Sequence, residues 1–166
     1  MLKDLTIHKA IQFAVAIEAT GARIYTDLAK KYDQQQEISE AFSLLASDER
    51  AHGAKFKALL NEIPEDDKGS AGGDDYQYLA AMARSEFFSE EEGLTLKLED
   101  IHSVQEALVK VLEFEKATLG FYLAIQDVVG PNDALSAILD EEKKHVARLA
   151  KYILTDEKMK GLSDEI

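Results

Sequence analysis

Apolar residues recur three and four apart in four long stretches of the chain, and sustained two-residue alternation is absent. The pattern therefore predicts helices and no strands. The first seam runs Ile7, Ile11, Ala14, Glu18, Gly21, Tyr25, Leu28, Tyr32, and the second Ile38, Phe42, Leu45, Glu49, His52, Phe56, Leu59. The third runs Ile101, Val104, Leu108, Val111, Glu115, Thr118, Tyr122, Ile125, Val129, and the fourth Leu135, Ile138, Glu142, His145, Leu149, Tyr152. Alternating steps of three and four keep each set on one helical face, which must be buried against other helices. Helices are expected over about 6–32, 36–60, 103–129 and 132–154. Thr6 can cap the first, and Ser103 with Glu106 three residues on has the pattern of a capping box.

The segments Asp33-Gln34-Gln35-Gln36 and Gly130-Pro131-Asn132 are short turns, so each consecutive pair of helices should fold back as an antiparallel hairpin. Between the hairpins lies a crossover of about 61–102, too long for a simple turn. It holds a glycine-rich loop, Gly69 to Gly73, and a short extra helix from about Tyr76 to Phe88 with Leu79, Met82, Ala83 and Phe87 on its apolar side. The fold expected is all-α: one domain over 1–166, a four-helix bundle with one long crossover containing a short extra helix, which is a ferritin-like architecture. The second hairpin repeats the first. A shift of 97 places Glu18 on Glu115 and Tyr25 on Tyr122, and a shift of 93 places Asp48-Glu49-Arg50-Ala51-His52 on Glu141-Glu142-Lys143-Lys144-His145.

Composition narrows the chemistry. With 166 residues, 46% of them hydrophobic, the chain is long enough for a real core. Cysteine is absent, which excludes disulfides, zinc–thiolate sites, iron–sulfur clusters and a cysteine nucleophile. A net charge of −13 argues against nucleic acid or an anionic membrane as partner. No apolar run reaches the roughly 20 residues of a membrane span. Met1 to Gly21 make a poor signal peptide, so a cytoplasmic location is expected.

The seams are broken by polar residues at one level. Glu18, Glu49, His52, Glu115, Glu142 and His145 all occupy core-facing positions, and no Lys or Arg joins them. Four carboxylates buried together without compensation repel one another and are costly to desolvate. A cationic partner must come from outside the chain. Glu18 lies 14 residues before Tyr32 and Glu49 lies 14 after Gln35, so the two meet across a tight hairpin; Glu115 lies 14 before Val129 and Glu142 lies 11 after Pro131, about one turn out of level. In each Glu-x-x-His pair the spacing of three puts both side chains on one face, about 4.5 Å apart along the axis. Four carboxylates and two imidazoles, with no sulfur, suit two divalent first-row ions: iron or manganese, with zinc also accommodated. One Glu from each of two helices plus Glu-x-x-His from each of the other two is the pattern of di-iron carboxylate bundles.

On Ala16-Ile17-Glu18 with Gly21 and Tyr25, on the two Glu-x-x-His stretches, and on Glu115 with Tyr122, the sequence resembles the rubrerythrin family of the ferritin-like superfamily. The resemblance implies a centre of two iron ions that reacts with hydrogen peroxide or dioxygen, with Glu49 and Glu142 bridging, Glu18 and Glu115 more terminal, and commonly a homodimer. Two departures matter. Typical members carry a C-terminal rubredoxin domain with four cysteines that supplies electrons; here they must come from a separate donor such as a rubredoxin-like protein. Members also carry an extra glutamate one turn before the third-helix ligand, linked to redox-dependent movement of one iron. That position is Leu112 here, while Glu113 points to roughly the opposite face.

The function expected is a non-haem di-iron oxidoreductase that reduces peroxide or dioxygen; the alternative is a ferroxidase or iron-storage protein. Tyr25 and Tyr122 are expected either to pack in the core or to hydrogen-bond a ligand carboxylate of a facing helix. Gly21 and Thr118 either leave room beside the metals or allow close helix approach. His8 and His102 are expected at the surface, and Tyr76, Tyr78, Phe87 and Phe88 in the core or a dimer interface. Glu90-Glu91-Glu92 is expected to be a solvated face, and the polar tail from Thr155 has no assigned role.

Overall fold

The computed structural model describes residues 6–64, 74–86 and 101–163. Five helices account for nearly all of them: α1 (Ile7–Lys31), α2 (Gln36–Leu60), α3 (Asp74–Glu86), α4 (Val104–Val129) and α5 (Asp133–Ser163). α1 packs along α2 and α4 along α5, and contacts of α1 with α4 and of α2 with α5 close the four long helices into a bundle. The architecture is the expected ferritin-like four-helix bundle with a crossover helix.

The helix ends follow local chemistry. Thr6 Oγ1 accepts from the Lys9 amide at 3.1 Å, and Ser103 Oγ from the Glu106 amide at 3.1 Å, each satisfying a donor the first turn leaves free. The return bond of Glu106 goes to the His102 amide, at 2.7 Å. Asn132 Oδ1 accepts from the Leu135 amide at 3.0 Å and caps α5. α4 stops at Gly130, whose φ of 81° is a conformation a side chain would resist.

The seams read from the sequence form the interior. They are buried except near the helix ends, where Tyr32, Ile38, Val104, Val129 and Tyr152 are only partly covered. Positions beside the seams also pack inside, among them Ile17, Ile24, Phe121 and Leu139, because a core-facing stripe is wider than a strict 3/4 line. The apolar interior is divided in two. One layer holds Ile11, Ala14, Phe56, Tyr122, Ile125 and Ile138; the other holds Ile24, Tyr25, Leu28, Phe42, Leu108 and Leu149.

The structure extends two of the expected helices. α5 runs on to Ser163, not to about residue 154. Its last turns are rich in Lys, Glu, Met and Leu, which favour a helical backbone although their mixed polarity gives no apolar stripe. α3 is described over Asp74–Glu86 and so begins before Tyr76; its expected end at Phe88, with Phe87 and Glu90 to Glu92, lies outside the described residues. Of the two places expected for Tyr78, the core or a dimer interface, its half exposure excludes the core, while Leu79 is fully buried. α3 lies against α4, where a Cβ on Gly120 would come within 2.9 Å of Met82 Cε. His102 is exposed as expected, and His8 is half-buried.

Candidate metal centre

Between the two apolar layers lies a polar one. Glu18 of α1, Glu49 and His52 of α2, Glu115 of α4, and Glu142 and His145 of α5 are all at most 1% exposed. Thr6 and Thr118 are the other buried polar residues among those described, so no Lys or Arg is buried with the four carboxylates. The one-turn offset between Glu115 and Glu142 is absorbed in the connector. α4 continues 14 residues past Glu115 to Val129, whereas α5 begins at Asp133, nine residues before Glu142, and Gly130 to Asn132 join them outside both helices.

Two overlapping groups result. Glu18, Glu49, His52 and Glu142 bring one ligand atom each within 4.8 Å of one another, and so do Glu49, Glu115, Glu142 and His145. Glu49 and Glu142 belong to both; Glu18 with His52, and Glu115 with His145, belong to one each. The imidazoles lie roughly parallel with ring centres 5.5 Å apart.

The hydrogen bonding of the layer has a consistent direction. Tyr122 Oη donates to Glu18 Oε1 at 2.6 Å, and Tyr25 Oη to Glu115 Oε1 at 2.5 Å. Each tyrosine thus has its ring in one apolar layer and its hydroxyl on a carboxylate of the facing hairpin. Of the two readings of these tyrosines, the structure shows the hydrogen-bonded one. Burial, then the neighbouring carboxylates, push both phenols well above their usual pKa, so they remain protonated donors. His52 Nε2 lies 2.7 Å from Glu141 Oε2, which Lys55 Nζ also approaches at 3.2 Å, and His145 Nε2 lies 3.2 Å from Asp48 Oδ2.

Asp48 and Glu141 were missed as site residues. The signal was present: each precedes the Glu of a Glu-x-x-His stretch, at equivalent positions of the repeat. Each grips the histidine of the other hairpin, a pairing that helix packing decides and spacing does not. A carboxylate on Nε2 fixes the proton there and leaves Nδ1 free to ligate.

Every remaining inward atom lacks a hydrogen-bond partner. They are Glu18 Oε2, both oxygens of Glu49, His52 Nδ1, Glu115 Oε2, both oxygens of Glu142, and His145 Nδ1. Their spacing is that of a coordination sphere. His52 Nδ1 stands 2.8 Å from Glu142 Oε1 and 3.8 Å from Glu18 Oε2; His145 Nδ1 stands 3.5 Å from Glu49 Oε1 and from Glu115 Oε2. Donors each about 2.1 Å from one first-row ion and roughly at right angles lie about 3 Å apart. Buried unpaired polar atoms are rare and demand an explanation; eight of them converging as oxygen and nitrogen donors fit a pair of transition ions. Leu112 packs against the apolar layer around Tyr25, and Glu113 is exposed, so neither extends this donor set.

Comparison with known proteins bears on the same residues. A family model described as rubrerythrin matches residues 9–153. The chain belongs to the rubrerythrin family. A crystal structure from Thermotoga maritima, described as that of a ferritin-like diiron-carboxylate protein, is similar in fold, with a TM-score of 0.70 and 21% identity over 90% of this chain and 95% of that one. No curated protein matches the chain in sequence. Membership of the rubrerythrin family together with the buried Glu/His cluster supports a two-metal site here. Among the described residues no helix is long and apolar enough to cross a membrane.

Without metal, the layer holds protons. Burial lifts the carboxyls of Glu18 and Glu115 well above the usual range, and the charges of Glu49 and Glu142 add to it, against a hydrogen bond from Tyr122 in one case and contact with His145 in the other. Burial disfavours a charged His145, but contacts with Glu115, Glu142 and Glu49 outweigh it and push its pKa up to about 12. His52 is raised in the same way by Glu142 and Glu141. Burial would raise Glu142, yet its contacts with His145 and His52 hold it down at about 2.

The raised groups bind more protons folded than unfolded. Their contribution to stability is complete below the ordinary values, 4.5 for the carboxyls and 6.5 for the imidazoles, and is lost as pH rises toward the raised values. Glu142 acts oppositely, its contribution being lost as pH falls from 4.5 toward about 2. The metal-free protein is therefore expected to melt at lower temperature at pH 9 than at pH 6. Metal binding at neutral pH is expected to release protons, because divalent ions displace them. Melting curves across pH and an indicator-dye titration with Mn(II) check both; a flat melting profile and no proton release would contradict the charge pattern.

Proposed function

We propose that the chain is a non-haem di-iron oxidoreductase that reduces hydrogen peroxide, with dioxygen as the slower oxidant. Its electrons would come from a donor such as a rubredoxin-like protein. The observation that carries the reading is the convergence of eight unpartnered donor atoms in a sealed layer between two apolar ones. A pair of ferrous ions held by these residues would supply the two electrons and the Lewis acidity for reducing one peroxide, with two protons, to two waters.

The chain's own residues prepare that chemistry. Glu18 with His52, and Glu115 with His145, each offer one oxygen and one nitrogen, while Glu49 and Glu142 offer an oxygen to each side. Tyr122 and Tyr25 hold the terminal carboxylates by one oxygen and leave the other for a metal. Glu141 and Asp48 fix the imidazoles with Nδ1 inward. The apolar layers exclude bulk water, which strengthens each electrostatic contact and limits side reactions. That the site serves as the entry to an iron store is the competing outcome.

Stopped-flow oxidation of the anaerobic Fe(II) protein separates the two. The expected result is oxidation by H₂O₂ at one peroxide per two irons, on the order of tenfold or more faster than by O₂, and renewed turnover when a reductant is supplied. Consumption of Fe(II) well beyond two ions per chain, with O₂ as effective as H₂O₂, would overturn it in favour of iron oxidation and storage.

A further inference from the structure

Thr118 is a buried polar residue that the proposed chemistry leaves unused. It lies on α4 three residues after Glu115 and four before Tyr122, on the face that carries both into the polar layer. It is fully buried, and its hydroxyl has no hydrogen-bond partner. A helical threonine commonly returns its hydroxyl to the carbonyl of the preceding turn, as Thr26 does to Ala22 at 2.7 Å. Thr118 does not. An unpaired hydroxyl in the interior is disfavoured unless something else meets it.

The internal repeat shows what is unusual about the position. The shift of 97 that superposes Glu18 on Glu115 places Gly21 on Thr118. A Cβ on Gly21 would stand 2.9 Å from Glu49 Oε2 and 3.4 Å from Glu49 Cγ and Cδ, so the Glu49 side chain fills the space over α1. On the α4 side a side chain already occupies the corresponding place. Glu142, the counterpart of Glu49, has both oxygens toward imidazoles, Oε1 2.8 Å from His52 Nδ1 and Oε2 3.7 Å from His145 Nδ1, whereas Glu49 turns Oε1 to His145 Nδ1 at 3.5 Å and Oε2 toward Gly21. The site therefore has two unlike flanks: a carboxylate covers α1, and a free hydroxyl faces inward from α4.

We propose that a small anionic ligand of the metal pair, peroxide or its surrogate azide, binds on the α4 flank and accepts a hydrogen bond from Thr118 Oγ1, while Glu49 closes the α1 flank. This rests on the di-metal reading of the site. Thr118 is on this view a specificity-determining residue: its hydroxyl adds a directed donor for an oxygen or nitrogen anion that a purely apolar wall would lack.

The test uses wild type, Thr118→Val, which keeps the shape and removes the hydroxyl, and Thr118→Ser, which restores it. Each is melted without metal, assayed for iron, and titrated in the diferric form with azide by its charge-transfer absorbance. The expected result is a metal-free Thr118→Val that melts at or above the wild-type temperature, two irons in all three proteins, and azide affinity about tenfold weaker in Thr118→Val, recovered in Thr118→Ser. Equal azide affinity in Thr118→Val and wild type, both holding two irons, would overturn the Thr118 proposal and leave the di-metal reading standing. A metal-free Thr118→Val that melts well below wild type would also overturn it, by showing that the protein already satisfies the hydroxyl. A wild type that retains no iron would bring down both.

Discussion

Glu49→Met is expected to raise the melting temperature of the metal-free protein by roughly 5 °C while abolishing the stabilisation that divalent metal gives. Both Glu49 oxygens are buried without a hydrogen-bond partner, in a layer that already holds the carboxyls of Glu18, Glu115 and Glu142. Replacing Glu49 by an apolar side chain of similar length removes the cost of burying those oxygens. Exchanging a buried ion pair for apolar groups gains about 1–4 kcal/mol, whereas stranding one charge is costly. Here His145 keeps Glu115 and Glu142 as partners, so no charge is stranded, and a gain of about 2 kcal/mol corresponds to several degrees in a chain of this size. In the wild type, Fe(II) at about 1,000 times its dissociation constant adds about 4 kcal/mol, or roughly 10 °C. Glu49 belongs to both four-residue groups, so the substitution weakens both halves of the site together. Melting curves with and without anaerobic Fe(II) read both effects. A variant that melts lower than wild type without metal, or keeps a full metal-induced rise, would contradict the assignment.

The second large effect is expected from His145→Leu, with the opposite sign for the metal-free protein. His145 is the cation that Glu49, Glu115 and Glu142 face, at 3.5, 3.5 and 3.7 Å. Removing it leaves three buried carboxylates with less compensation, and breaking a buried ion pair costs about 3–5 kcal/mol. The other group, Glu18, Glu49, His52 and Glu142, stays complete. Metal content should fall from two ions per chain to one. Peroxide-driven oxidation should slow by on the order of 100-fold or more, because a lone iron supplies one of the two electrons needed. Elemental analysis and stopped-flow absorbance test the pair of outcomes; two firmly held ions in the variant would show that His145 is not a ligand.

The central features were legible because they violate the rule that organises the rest of the chain. A 3/4 seam has to be apolar, so Glu18, Glu49, His52, Glu115, Glu142 and His145 stood out as charges in places where burial is compulsory. The bundle then brings all six together. What escaped depends on contacts between elements. Asp48 and Glu141 are half-buried acidic residues of ordinary appearance; only the packing of α2 against α5 sets each beside the opposite histidine. The inequivalence of Gly21 and Thr118 was visible as a break in the repeat, but its meaning depends on where the Glu49 carboxylate lies. The length of α5 was hidden for a different reason. Its last turns are helical by local preference, without the apolar stripe that reveals a packed helix.

Anomalous diffraction from crystals of the protein loaded anaerobically with Fe(II) tests the central claim most directly. Two peaks per chain are expected in the buried layer, one among Glu18, His52 and the two shared carboxylates Glu49 and Glu142, the other among Glu115, His145 and the same pair. Peaks only on the acidic surface, or none in that layer while the six side chains stay as described, would contradict it.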